Sequence, residues 1–241
     1  MITVVTWQWG GLFSPLYVAR LRAGLGRHLR IPHELVVVSD NPRGLEGLGV
    51  RAVPMPSRFV RTPRCRRRME QFSKEFAAKI GASRILALDL DLVFVRDLTP
   101  LVDRPERVLG YRVPHAGVVS GSFLLFDAGA LHEAWLPFKV DPIGYPARVQ
   151  PRGVPSDQAM LNFYLEGRRS RGLAPLETLW DERDGFVTYY GAGYERFEHM
   201  GIGPNTGEQL PANARVVILG SDDKAVMDEA RFSWVREHWI D

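Results

Sequence analysis

The sequence predicts an α/β fold on a mixed, mostly parallel central sheet flanked by helices, and three stretches carry that expectation. ITVVTW (2–7) and HELVVVSD (33–40) are short apolar runs of the buried-strand type. Between them SPLYVARLRAGLGRHL (14–29) has helical spacing, with Leu16, Ala19, Ala23 and Leu29 as its apolar stripe and Pro15 in the first turn. Strand, helix and strand joined by short connections make a βαβ unit, which requires a parallel pair.

The rest of the chain continues in the same manner. VRAVPMP (50–56) reads as a third strand closed by prolines. RMEQFSKEFAAKIGA (68–82) reads as a helix with Met69, Phe72, Phe76 and Ile80 inward and Gly81 as its stop. ILALDLDLVF (85–94), RVLGYRV (107–113) and VVSGSFLLFD (118–127) follow as strands. GALHEAWLPF (129–138) and SDQAMLNFYLEG (156–167) read as helices, the second capped by Ser156, before the late strands FVTYY (186–190) and ARVVILG (214–220). No repeat or linker interrupts the pattern, so a single domain over 1–241 is expected, with halves at 1–97 and 98–241.

Composition narrows the function. At 241 residues, 45% hydrophobic and 24% charged, the chain has material for a substantial core. No run of about 18 apolar residues exists to span a membrane. The opening MITVVTWQWGG lacks the features of a signal peptide, which favours a cytoplasmic protein. Cys65 is the only cysteine, so neither an intramolecular disulfide nor a cysteine-based zinc site is available. Net charge is only +3, yet RFVRTPRCRRR (58–68) holds six arginines and no acid. Such a block is either a solvated loop or an anion site, and its confinement to one place favours a phosphate ligand over a nucleic-acid backbone.

Two acids interrupt the driest strand. Asp89 and Asp91, spaced i, i+2, would share a face of a regular strand about 7 Å apart. Carboxylates aimed at one point need a shared proton or a cation, and Mg²⁺ or Mn²⁺ suits such hard oxygen donors. The bland reading is a strand-end turn in which both acids face water. A haloacid-dehalogenase-like phosphatase also places two aspartates after an apolar strand, but there the nucleophile follows the first strand of the fold. Here several elements come first.

In this order and spacing the segments resemble a retaining glycosyltransferase of the GT-A fold, close to the family 8-like enzymes of bacteria and phages. Asp89-Leu90-Asp91 resembles the family's Asp-x-Asp motif, and VVTWQWGGLFSPLYVARLRAGLGRHLRIPHELVVVSDNPRGLE its nucleotide-binding opening. VSGSFLLFDAGALHEAW, Ser156-Asp157-Gln158 and the terminal WVREHW are similar to its later landmarks. The resemblance implies a donor that is a nucleotide diphosphate sugar, with UDP-sugar favoured, and Mn²⁺ or Mg²⁺ held by Asp89 and Asp91. Arg68 would lie near the diphosphate, Thr6, Trp7 and Asp40 near the base, and Ser120 and Gly121 beside the sugar. Asp157 would contact the sugar and Gln158 its anomeric carbon.

One place departs from the family pattern. Where a metal-binding His and a Lys-Pro pair are expected, the chain has Leu219, Gly220 and then Ser221-Asp222-Asp223-Lys224. Asp222 or Asp223 would replace the His as a shifted metal ligand, or the metal would be held by two carboxylates, phosphates and water alone, or the site would work without metal. Lys224 would still reach the diphosphate, with His115 and His199 as spare candidates. The acceptor is open, DNA included. A non-catalytic sugar-nucleotide or nucleic-acid binding module is the remaining alternative.

Overall fold

In the computed structural model the described residues are 1–57, 62, 64–113, 117–150, 155–189, 209–219 and 232–241. The first strand, β1 (Ile2–Gln8), is buried along its whole length. Helix α1 (Pro15–His28) leads to β2 (His33–Ser39), which pairs in parallel with β1 from Ile2↔His33 to Gln8↔Ser39. The α1 face that meets the core carries Tyr17, Val18, Leu21 and Leu25, and of the expected stripe only Leu29, just past the helix end, is buried with them. Leu16 is an exposed residue, because the two aromatic and branched neighbours after it take the inward positions.

β3 (Arg51–Pro54) adds an outer parallel strand beside β2. The expected helix over 68–82 is two pieces. Residues Arg64–Phe72 form a 3-10 helical stretch, and α2 (Lys74–Ile80) starts afresh at Ser73, whose side chain accepts from the Phe76 amide. A serine with its own cap bond restarts a helix instead of continuing one. Gly81 ends α2 with φ +67°, and Met69, Phe72, Phe76 and Ile80 are all buried.

The run 85–94 is also divided, and this is the main correction to the expected strands. β4 (Arg84–Leu88) belongs to the large sheet beside β1, whereas β5 (Leu92–Phe94) pairs with a second sheet. Asp89 and Asp91 therefore lie in the bend between two sheets and not on one regular strand. Leu90 between them is buried, which is why the apolar run reads as unbroken.

After the short α3 (Thr99–Val102), β6 (Val108–Arg112) and β7 (Val119–Asp127) return to the large sheet. Next come α4 (His132–Val140), α5 (Gly144–Val149) and α6 (Asp157–Ser170), then β8 (Thr178–Trp180). β9 (Phe186–Tyr189), β10 (Val216–Leu219) and α7 (Ser233–His238) complete the described elements. The seven-stranded order is β3-β2-β1-β4-β7-β6-β8, and the three-stranded sheet is β5-β10-β9.

Within the large sheet only β7 runs antiparallel to its neighbours β4 and β6. Alternate residues of β1 feed two cores. Ile2 and Val4 join α1 and the small sheet, while Val5 and Trp7 join the 3-10 stretch, α2, α4 and α6. The result is an α/β protein with a Rossmann-like, mostly parallel sheet between helical layers. Among the described residues no helix is long and apolar enough to cross a membrane.

Candidate functional site

In an open α/β sheet, ligands gather outside the carboxyl ends of the parallel strands, where the strand order reverses. Here that point falls between β1 and β4, with β2 and β3 on the other side of β1. Three of the residues singled out in the sequence sit on this edge. Asp40 follows β2, Asp89 follows β4, and Asp91 lies in the bend beyond it. Because β7 runs the other way, its first residues, Ser120 and Gly121, reach the same edge. The Asp89 amide donates to the Ser122 carbonyl at 3.0 Å, fixing this alignment.

Arg68 joins the pieces. It ion-pairs with Asp89, and its Nε lies 2.8 Å from Asp157 Oδ2 while Nη2 donates to Asp157 Oδ1 at 3.1 Å. The Asp157 side chain is only 2% exposed, so this pairing compensates a carboxylate that has left water. Burial acts to lower the Arg68 pKa, but Asp157, Cys65 and Asp91 outweigh it and hold the guanidinium above its ordinary value. A permanently charged cation is thus fixed between the β4 end and the first turn of α6. Asp157 also lies where a helix dipole favours negative charge, and Ser156 caps the helix by accepting from the Ala159 amide at 3.1 Å.

Gln158 completes the cradle. Its Oε1 accepts the Gly121 amide at 2.9 Å. A Cβ at position 121 would lie 3.3 Å from the Gln158 Cβ and 3.6 Å from both Arg68 Nη2 and Asp157 Oδ2. Glycine therefore lets β7 approach both side chains closely. Ser120 is buried and its Oγ accepts from the Ser122 amide at 3.1 Å, so its hydroxyl shapes the strand entry.

Sequence reasoning passed over two residues that support this arrangement, Asn162 and Cys65, and named Arg67 only beside Arg68 as a candidate near the diphosphate. Asn162, one turn after Gln158, accepts the Val119 amide and donates to the Val119 and Gln158 carbonyls, each at 2.8 Å. It fastens α6 to β7, and its i+4 spacing from Gln158 was the available signal. Cys65 sits against Asp157, and burial, helped by that carboxylate, pushes its thiol pKa up. Arg67 is buried with its guanidinium 4.7 Å from the Trp9 ring centre. Burial lowers the Arg67 pKa, opposed by the charge of Asp40.

The base-side residues are distributed unequally. Trp7 is in the core, 3% exposed, stacked on Phe76 and donating its indole N–H to Gln71 Oε1 at 3.2 Å. Thr6 is fully buried and its Oγ1 makes no hydrogen bond among the described residues. Asp40 accepts the Gly10 amide at 3.0 Å. It borders a hollow of about 210 Å³, lined also by Gln8, Gly11, Phe13 and Asn41, at the carboxyl ends of β1 and β2. The half-buried Trp9, rather than Trp7, is the indole with surface to offer at this end.

Asp222, Lys224, His115 and His199 lie outside the described residues, and of Leu219 only the backbone, at the end of β10, is described. Among the described residues no group of three or more His, Cys, Asp and Glu side chains is gathered to hold a metal ion. Of the expected metal ligands Asp89 and Asp91 are the two among the described residues, and one Asp89 oxygen already accepts Arg68. Two carboxylates are hard oxygen donors of the kind that Mg²⁺ or Mn²⁺ takes, too few by themselves to complete its coordination.

No protein-family model matches the chain and no curated protein matches it. Fold and site together define an α/β protein with a charged, partly buried cradle at the carboxyl edge of its sheet.

Proposed function

We propose that the chain is a GT-A glycosyltransferase that moves a sugar from a nucleotide diphosphate sugar to an acceptor with retention. The observation that carries the proposal is the Arg68 guanidinium held between Asp89 and Asp157, beside Gly121 and Gln158, at the strand-order reversal. The nucleoside would occupy the hollow beside Asp40, with the diphosphate running from there toward Arg68 and Asp89. A divalent metal on Asp89 and Asp91 would supply Lewis-acid stabilisation of the leaving diphosphate.

The chain's own groups account for the remaining steps. Arg68 meets the charge that grows on the diphosphate as its bond to the sugar breaks. A cation fixed in advance stabilises that charge without reorganisation. Asp157 and Gln158, at the start of α6, would lie beside the sugar, Asp157 acting through the Arg68 it holds and Gln158 through its side-chain amide. No strong protein nucleophile is required, since the acceptor attacks from the face the diphosphate leaves. Asp89 is engaged by Arg68, which argues against its use as a phosphatase nucleophile.

Titration calorimetry against UDP- and GDP-sugars with Mn²⁺ tests the proposal. At least one donor is expected to bind and Asp91→Ala to weaken it. Absence of binding by every donor, with Asp91→Ala behaving as the unaltered protein, refutes the assignment.

A further inference from the structure

We propose that the hollow at the amino ends of β2 and β3 is a second ligand site, one that takes a small organic anion gripped by Arg22. It measures about 750 Å³, in the range of small-molecule sites, and is lined by Arg22, Ala23 and Gly26 of α1 together with the starts of β2 and β3. β2 spans seven residues, so this end lies about 20 Å from the carboxyl edge, and the inference is independent of the function proposed there.

Arg22 is placed and left open. Its guanidinium lies over Gly49, where a Cβ would stand 2.9 Å from Cζ and from Nη2. Gly49 also has φ +65°, so glycine at this position both makes the turn and leaves room for the guanidinium. Among the described residues Arg22 has no hydrogen-bond or ion-pair partner. The other charges in the hollow are occupied. Arg51 pairs with Glu34 at 3.1 Å and donates to the Ile80 carbonyl at 2.6 Å. His33 Nδ1 donates to the Ile31 carbonyl at 2.8 Å. One uncompensated positive charge in a hollow whose lining includes Ala23, Leu25, Leu35 and Val50 matches an anion with an apolar body.

The helix contributes the space. Two glycines interrupt α1, and a glycine inside a helix weakens it. Gly24 has a packing reason, since a Cβ there would meet Phe94 at 3.2 Å. Gly26 has none: a Cβ at 26 meets no other group within 4 Å, and the residue lines the hollow.

Phenyl phosphate, followed by calorimetry and by amide chemical shifts of the whole chain, tests the site. The unaltered protein is expected to bind it with shifts at Gly26 and Gly49. Arg22→Ser should weaken binding about tenfold or more, as loss of a charge-assisted bond requires. Gly26→Leu should abolish it, with circular dichroism unchanged in both variants and Asp91→Ala binding normally. Absence of binding overturns the proposal. So do equal binding by both variants and shifts at Gly121 in place of Gly26 and Gly49.

Discussion

The two ends of the seven-stranded sheet treat an arginine in opposite ways. At the carboxyl end Arg68 is enclosed and shared by two carboxylates, one of them almost fully out of water. At the amino end Arg22 is exposed, seated over a glycine, and unpaired among the described residues. A closed network fixes the positions of its members and is costly to open. An open one costs the fold little and leaves its charge for a ligand. The same side chain is therefore fixed in advance by two carboxylates at one end and held by none at the other.

The largest expected effect separates the two directly. Arg68→Gln leaves Asp157 buried without its cation, and breaking such a pair costs about 3–5 kcal/mol. Arg22→Gln should change stability by no more than about 0.5 kcal/mol, as for an ordinary surface substitution. Urea unfolding of both variants measures the contrast, and equal losses would erase it. Donor binding is expected to vanish in the first variant and to persist in the second.

A smaller effect tests whether the carboxyl-edge cradle depends on its buttress. Asn162→Ala removes three hydrogen bonds and strands the Val119 backbone groups, a cost of about 1–3 kcal/mol. If Asn162 positions Gln158 as the geometry indicates, sugar transfer should fall further than donor affinity does. Steady-state kinetics with donor and acceptor varied separately reads that split.

Much of this edge was legible beforehand, for identifiable reasons. Buried strands such as 33–40 announce themselves by continuous apolar runs, and β1–α1–β2 followed from them. Two acids inside such a run required a positive partner, and the resemblance put Arg68 near the diphosphate that they would anchor. The partner's second contact was not legible, because Asp157 is 89 residues away and local spacing carries no signal across that distance. The break between β4 and β5 was hidden by Leu90, which stays buried through the bend. Trp7 stands at the strand end where the base was expected but is buried in the core, because a place along a strand does not say which face lacks a neighbour. Gln71, which accepts the Trp7 indole, comes from a distant 3-10 stretch.

The far end of α1 adds a pH test. His28 and His238 have ring centres 5.6 Å apart, and Arg27 donates to the His238 and Ile240 carbonyls, tying α7 to α1. Burial lowers both imidazole pKa values, reinforced at His28 by His238 and Arg27 and at His238 by Arg27. Asp97 opposes the shift at His28 and Glu237 opposes it at His238. Both are therefore neutral in the fold at pH values where the unfolded chain already binds protons. Stability from this pair is complete above the ordinary value of 6.5 and is lost as pH falls from there through the lowered folded values. Melting temperatures between pH 8 and 5 should drop over that window, and His28→Gln should flatten the profile. A drop of equal size in the variant would assign the sensitivity elsewhere.

The smallest effect bears on the open end, and its sign is what matters. Gly26 is exposed inside α1 and nothing crowds a Cβ built there, so Gly26→Ala restricts the unfolded chain without strain in the fold. The fold should gain about 0.4–1 kcal/mol, visible as a raised urea midpoint at constant slope. A glycine whose replacement improves the fold is not kept for packing, unlike Gly24 beneath Phe94, where the same change should destabilise. Opposite signs at two positions one half-turn apart would mark Gly26 as the residue that keeps the amino-end hollow open. Destabilisation at both would return it to an ordinary part of the helix and close the contrast between the two ends.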